Sequence, residues 1–319
     1  MALTNMSVFN KFYAPAIVEK YAQMVNKFNA SSNGTIVLSG QLQTGDFNKT
    51  SFYNMLSATR RVDRYASNTS ATVTDLTQAQ EVKVKVGGGF GPVRFEPSQM
   101  SWIEAPTGES IDSISDMAAE SLLADQLNTV VKSGVAAIEN VAGLVNDVTA
   151  LGTSGGEISY KNINASHAKM GDKSMKLIGQ VMTGAAYHEL VDENLASVLF
   201  QADNVLVVEI LGKPVIVSDI PALSETNELK VLSLVAGGLT VDGGDDVIYN
   251  LETSNGNQRI ETTWQSDYSF IIGIRGFAWD EANGGKSPTD AELATGSNWD
   301  RVATSVKGCA GVILKAYSA

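Results

Sequence analysis

Between residues 109 and 148 apolar side chains return at every third or fourth position: Ile111, Ile114, Ala118, Leu122, Leu123, Leu127, Val130, Val131, Ile138, Val141, Val145 and Val148. That spacing predicts one long helix over residues 109–148 that buries a single stripe. At 1.5 Å per residue it would run roughly 60 Å, about twice the width of a small domain. Thr107 or Ser110 would cap it, and Glu109, Asp112, Asp116 and Glu120 oppose the positive end of its dipole. Gly134 and Gly143 each cost about 1 kcal/mol relative to alanine unless a tight crossing needs them. A helix of this length is a spine, which suits a building block better than an enzyme.

Ahead of the spine the pattern changes. A helix is expected over 15–28, a Ser/Asn/Gly break over 30–34, and a short strand over 35–38. A further helix is expected from 46 through 56. The pattern then turns extended at Thr72-Val73-Thr74, at Glu81-Val82-Lys83-Val84-Lys85-Val86 in strict alternation, and at Val93-Arg94-Phe95. Gly87-Gly88-Gly89-Phe90-Gly91 reads as a flexible connection between two of these strands, because neither the Lys-Ser/Thr nor the helix of a phosphate loop follows it. After the spine, strands are expected at 177–182, 205–210, 214–217, 229–235, 247–251, 258–263, 268–274 and 312–316, with a helix at 185–199. The fold class is α+β.

With 319 residues and 44% hydrophobic content the chain can bury a large core, and no apolar stretch is long enough to span a bilayer. Residues 1–10 hold neither a basic start nor an apolar run, so no signal peptide is expected, and triplets such as Asn33-Gly34-Thr35 carry no glycosylation meaning. The single cysteine, Cys309, lies in an apolar run and reads as a small core residue. Charge is uneven. Residues 1–106 hold ten Lys/Arg against seven Asp/Glu, a balance of +3, whereas the rest hold thirteen against twenty-eight, a balance of −15. A front segment that reaches the acidic body of another copy would be attracted to it. The acidic body also argues against sequence-specific nucleic-acid binding.

Chemical motifs are thin. His188-Glu189-Leu190-Val191-Asp192 begins like a zinc-protease helix, but Asp192 stands where the second histidine is needed, and His167 is the only other histidine. Asp242-Gly243-Gly244-Asp245-Asp246 lacks the ligand pattern of a calcium loop and reads as a turn. Nothing assembles a nucleophile, base and oxyanion site, so no catalytic residue, metal ligand or cofactor is assigned. Trp102, Trp264, Trp279 and Trp299 read as core or interface anchors. Arg60, Arg61 and Arg64 form the densest basic cluster and are candidates for an intersubunit clamp, since guanidinium forks match carboxylates on a partner.

The order of a basic arm, a β excursion, a long spine and a mixed body resembles the major capsid proteins of tailed bacteriophages, the Hong Kong 97-like fold. Ala168-Lys169-Met170-Gly171-Asp172 leading into Ile178-Gly179-Gln180-Val181-Met182 resembles that family's passage into its body. Leu211-Gly212-Lys213-Pro214-Val215-Ile216-Val217-Ser218-Asp219 resembles its apical strand pair, and Gly276-Phe277-Ala278-Trp279-Asp280 with Asn298-Trp299 its late peripheral return. The resemblance implies an N-terminal arm at 1–45, an extended loop at 46–106, a peripheral domain at 107–177 and 266–319, and an axial domain at 178–265. It implies self-assembly into pentamers and hexamers of an icosahedral shell around double-stranded DNA, formed in the host bacterial cytoplasm. Partners would be other copies, separate scaffolding, portal and decoration proteins, and packaged DNA through weak non-specific contact, with no membrane. The alternative within the fold is an encapsulin-like nanocompartment shell; the alternative from another class is a hydrolase or metal enzyme. Some members of the fold join a loop lysine to a neighbour's asparagine. Lys83 and Lys85 are the loop candidates here, and their alternation with Val82, Val84 and Val86 reads as a solvated strand face that blocks edge pairing, so a noncovalent shell is expected. Residues 1–30 are expected to serve assembly more than folding.

Overall fold

The computed structural model describes residues 3–318 apart from 43, 54–59, 68, 69, 71, 72, 74, 96–106, 192–195, 203, 204, 211, 212, 245–247, 255–257, 259 and 260. The chain runs through α1 (Leu3–Ser31), β1 (Ile36–Leu42), β2 (Phe47–Tyr53), β3 (Gln78–Phe95) and α2 (Thr107–Glu139). Then come β4 (Val145–Asp147), α3 (Tyr160–Ala168), β5 (Leu177–Met182), α4 (Gly184–Val191), β6 (Ala196–Ala202), β7 (Val205–Ile210), β8 (Lys213–Val217) and β9 (Ser224–Glu225). The last third holds β10 (Glu228–Val235), β11 (Leu239–Gly243), β12 (Ile248–Ser254), β13 (Glu261–Ile274), β14 (Phe277–Trp279), α5 (Asp290–Leu293), β15 (Trp299–Arg301) and β16 (Gly311–Tyr317).

Two sheets flank the spine. The first has the order β1-β11-β13-β3-β2, with β12 paired to β13 beyond the end of β11. The second has the order β4-β16-β10-β5-β8-β7-β6, with β9 on β10. Strand β10 shows why its sequence is an almost unbroken apolar run. Leu229 and Val231 join a smaller core with Ile163 of α3 and Ala186 and Leu190 of α4, while Leu232 and Leu234 turn the other way into the main core with α2. A strand buried on both faces has no polar face to alternate with.

The spine is shorter than its periodicity predicts. It ends at Glu139, after 33 residues and about 50 Å, and the chain continues through a 3₁₀ turn, Ala142–Leu144, into β4. The valines at 141, 145 and 148 continue the helical spacing by coincidence of short elements. The single stripe also fails over the last turns: from Thr129 to Ile138 every residue except Lys132 is buried, so the helix is enclosed rather than amphipathic there. Gly134 is needed for that enclosure, because a Cβ there would lie 2.8 Å from Leu239 Cδ2 on β11. The candidate caps and the acidic side chains before Asp116 lie outside the described side chains.

Other expectations change as well. Residues 46–56 hold strand β2 in place of a helix, because Phe47 to Tyr53 pairs with β3. The helix expected at 185–199 stops at Val191 and its second half forms β6. The strands expected at 258–263 and 268–274 are one strand, β13. The Gly87–Gly91 run is no flexible connection. It lies within the 18-residue β3, where Gly87 to Phe90 pair with Ser269 to Ser266 of β13. Gly88 stands opposite Tyr268, and a Cβ there would meet the ring at 2.7 Å. The glycine vacates the space that lets this aromatic lie across the strand, 5.5 Å from the Phe90 ring. Of the strand expected at 72–74 only Val73 is described, and it is exposed and belongs to no strand; Trp102 lies outside the described residues.

Helix α1 packs along α2 and is part of the fold. Val25 and Phe28 are buried in the main core, Phe28 completely, and Lys20 pairs with Asp116 at 2.8 Å. The expectation that residues 1–30 serve assembly more than folding is corrected by these contacts.

Candidate functional site

The hairpin of β2 and β3 carries the candidate interaction residues. Every described residue from Arg60 to Gln78 is exposed, including Val62, Val73, Leu76 and Tyr65, whose ring has no cover at all. Arg60, Arg61 and Arg64 stand in this stretch, and none of them makes an ion pair with another described residue. Within it, the Tyr65 backbone N–H donates to Asp63 Oδ1 at 2.9 Å. The described residues of this segment leave most of their apolar surface uncovered, so their ordering has to be offset by contacts outside it.

Lys83 and Lys85 are placed differently from their sequence reading. Val82, Val84 and Val86 do fill the buried face of β3. Yet β3 is no edge strand, since β2 and β13 flank it on both sides. Lys83 is not a solvated side chain: its Nζ pairs with Asp242 Oδ2 of β11 at 2.6 Å and its stem lies over Gly273. The Lys85 backbone N–H donates to the Asp46 carbonyl at 2.9 Å. The hairpin root is therefore fastened into the first sheet, whereas its far stretch projects its charges and apolar groups.

Three polar clusters inside the fold were not legible beforehand. On one side of α2, Tyr21 of α1 donates to Gln126, and Tyr268 of β13 donates to Asp125 Oδ2 at 2.7 Å. Burial pushes the Tyr21 hydroxyl up to about 12 and raises that of Tyr268 further, with the Asp125 carboxylate adding to the latter, so both stay protonated donors. At the end of α2, Glu139, Glu225 and Glu228 surround Lys230, which is 2% exposed. On α3, His167 Nε2 lies 3.1 Å from Ser233 Oγ and 3.4 Å from Gln180 Nε2; burial, then the nearby Lys213 charge, lowers its pKa to about 4. These are ties between elements, and each contains a residue whose type looked apolar-compatible or isolated in the sequence. The signal that was present is the pair of lysines within apolar alternations, Leu229-Lys230-Val231 and Leu314-Lys315-Ala316.

Trp279 and Trp299 are both buried and meet edge to face at 4.9 Å, and each indole N–H donates to a carbonyl, of Gly285 and of Leu293. Cys309 is buried in the main core, and burial pushes its thiol up to about 11, which leaves it unreactive. His188 lies on α4 against the Tyr187 ring, with Asp192 outside the described residues. Among the described residues no three His, Cys, Asp or Glu side chains converge as a metal site would require. Part of the Asp242–Asp246 turn and the Trp264 side chain also lie outside what is described.

No curated protein matches the chain. Among solved structures it is similar to one titled Microbacterium phage Oxtober96, at 12% identity over 77% of this chain and 84% of that one, with a TM-score of 0.48. It is similar to the Cyanophage Pam1 capsid asymmetric unit at 11% identity, 78% and 87% coverage and a TM-score of 0.48. Mycobacterium phage Bobi gives 10% identity, 87% and 88% coverage and the same score, 0.48. Residues 5–313 match the model of the Gp13-like family, major capsid protein 13-like, and the chain belongs to that family of phage shell proteins, with a structural and self-associating role.

Proposed function

We propose that the chain adopts the Hong Kong 97-like architecture and assembles into the pentamers and hexamers of an icosahedral bacteriophage shell enclosing double-stranded DNA. Residues 1–45 serve as the N-terminal arm, 46–106 as the extended loop, 107–177 and 266–319 as the peripheral domain, and 178–265 as the axial domain. The observation that carries this reading is the exposed stretch from Arg60 to Gln78, three arginines with no ion pair to another described residue, among exposed apolar side chains in a chain whose remaining body is acidic. Laid on a second copy, that stretch would lose its apolar exposure and bring guanidinium forks to carboxylates. Arg60, Arg61 and Arg64 act as the clamp, and Lys83 holds the hairpin root in place through Asp242.

The acidic body repels a polyanion, so packaged DNA is held by enclosure and weak non-specific contact in preference to a basic groove. Scaffolding, portal and decoration proteins would be separate chains, and assembly takes place in the host bacterial cytoplasm. Electron microscopy of the chain expressed alone and with its neighbouring phage genes tests the reading. Uniform closed shells with five- and six-fold capsomers are expected. A chain that stays monomeric under all these conditions sinks it, and closed shells filled with enzyme cargo would turn it into a nanocompartment.

A further inference from the structure

We infer that the cavity at the root of the β2–β3 hairpin is a socket for a carboxylate-bearing, partly apolar segment of a second copy of this chain. The inference rests on the shell reading above. The cavity encloses about 570 Å³, where Phe52 of β2, Glu81 and Lys83 of β3 and Arg275 after β13 face Lys173 of the 3₁₀ turn leading into β5. That volume falls within the range of about 300–1,000 Å³ in which proteins hold ligands of several side chains' size.

Two of the four charged groups are already satisfied inside the chain. Glu81 Oε1 accepts the Gly276 backbone N–H at 2.7 Å, and Lys83 is paired with Asp242 at 2.6 Å. Lys173 and Arg275 are left over. Arg275 donates one N–H to the Ala236 carbonyl at 3.0 Å, and neither residue makes an ion pair with another described residue. A guanidinium has five donors, so Arg275 retains capacity for a second acceptor. Two cations beside an apolar wall of Phe52 and Ile274 suit a carboxylate with a hydrophobic neighbour.

A nucleic-acid phosphate fits less well. It would meet Glu81 in the lining and a surrounding body with a balance of −15 beyond residue 106, where a phosphate chain needs a continuous basic track. That same acidic body makes a second copy the source richest in carboxylates, and self-association brings it into reach. The exposed stretch of the hairpin and the socket at its root are then two halves of the contact scheme: one carries arginines outward, the other receives acids.

The test uses shells assembled from equal amounts of unlabelled and heavy-nitrogen-labelled chain. They are treated with a carbodiimide, which joins an amine to a touching carboxylate without a spacer, and digested for mass spectrometry. Mixed-isotope peptides joining Lys173 to an Asp or Glu of another copy are expected in shells and should vanish on dissociation. The charge reversal Lys173→Glu with Arg275→Glu should lower shell yield about tenfold, while Lys173→Arg with Arg275→Lys should keep it within about twofold. Shells in which Lys173 is unlinked, or linked only within one isotope, overturn the socket and leave the shell reading intact. Protection of Lys173 from acylation by added DNA but not by assembly would assign the cavity to phosphate and overturn it too. A wild-type chain that never forms shells fails the shell reading, and the socket with it.

Discussion

Lys230 and Lys315 stand directly opposite each other in the antiparallel ladder of β10 and β16, yet both point their ammonium groups at one carboxylate oxygen, Glu139 Oε1, at 2.8 and 3.1 Å. Like charges paired across a sheet repel, so this position relies on carboxylates set between them, Glu139 from the spine and Glu228 from β10. Glu228 lies 3.3 Å from Lys315 and Glu225 2.6 Å from Lys230. Burial alone would pull the Lys230 pKa down, but the carboxylates of Glu139 and Glu225 win and hold it above its ordinary value. The group stays charged, and the end of α2 is fixed to the second sheet by it.

Replacing Glu139 with Gln should therefore destabilise the chain by on the order of 3 kcal/mol, because it leaves a buried ammonium with one fewer counter-charge beside another lysine. Adding Lys230→Met should recover most of the loss, since an apolar side chain of similar length needs no partner. Urea unfolding of the unassembled chain measures both. A double variant no more stable than Glu139→Gln alone would mean that the charge was not the cause.

The glycine run in β3 gives a second expectation. Gly88→Ala places a methyl group where the Tyr268 ring lies, 2.7 Å from its nearest carbon, and should cost about 1–3 kcal/mol through overpacking. Gly87→Ala is the control. Its nearest contact would be Ser287 Oγ at 3.6 Å, so that change should be neutral or stabilise by about 0.4–1 kcal/mol through the unfolded chain. Equal effects of the two substitutions on the unfolding midpoint would discard the idea that Gly88 exists to seat Tyr268.

His167 sets a pH dependence. Burial against Ser233 and Gln180, with the Lys213 charge nearby, lowers its pKa from 6.5 to about 4 in the folded chain. Between those values the unfolded state binds the extra proton and the folded state does not, so stability present above the unfolded pKa is lost as pH falls through the window. His167→Gln should flatten the decline of the urea midpoint between about pH 7 and about pH 4. An unchanged slope in that variant would show that carboxylates alone set the acid response.

Much of this fold could be read directly from residue patterns, and the failures have physical causes. The strands at 177–182 and 205–210 lie where alternation and apolar runs put them, because both sit in one sheet whose pairing agrees with local preference. The spine was overextended because valines at 141, 145 and 148 keep a helical period while belonging to a turn, a strand and the residue after it. Glycines at 87–89 look like a break on propensity, whereas the strand across from them gives reasons only at Gly88, which faces the Tyr268 ring, and at Gly89, which faces Asp267 and the Ser266 carbonyl. Arg60, Arg61 and Arg64 were visible because charge density is a local property. Lys173 and Arg275 were not, since about a hundred residues separate them and only the fold makes them neighbours of one cavity.

The arginine cluster should act between copies. Reversing Arg60, Arg61 and Arg64 to Glu should leave the stability of the unassembled chain within about 0.5 kcal/mol, as expected for exposed side chains with no ion pair to another described residue. Shell yield should fall, and added salt should restore part of it by screening the new repulsion over about 10 Å or less. Undiminished yield from the triple variant would return the cluster to an ordinary solvated surface.

Finally, the shell should be held without covalent links through the hairpin lysines. An amine attacks an amide carbon only as the neutral base, and desolvation next to apolar walls is what produces that form. Lys83 has no such apolar pocket: its Nζ is engaged in an ion pair with Asp242 Oδ2 at 2.6 Å. Its Nζ is also held within its own sheet, on Asp242 of β11. Lys85, two positions on, shares that strand face. Assembled particles boiled in detergent with reductant should therefore run as a single band near 33.8 kDa. A ladder of oligomers that persists under those conditions, and disappears in Lys83→Arg or Lys85→Arg particles, would overturn this expectation and place a reactive amine in the hairpin.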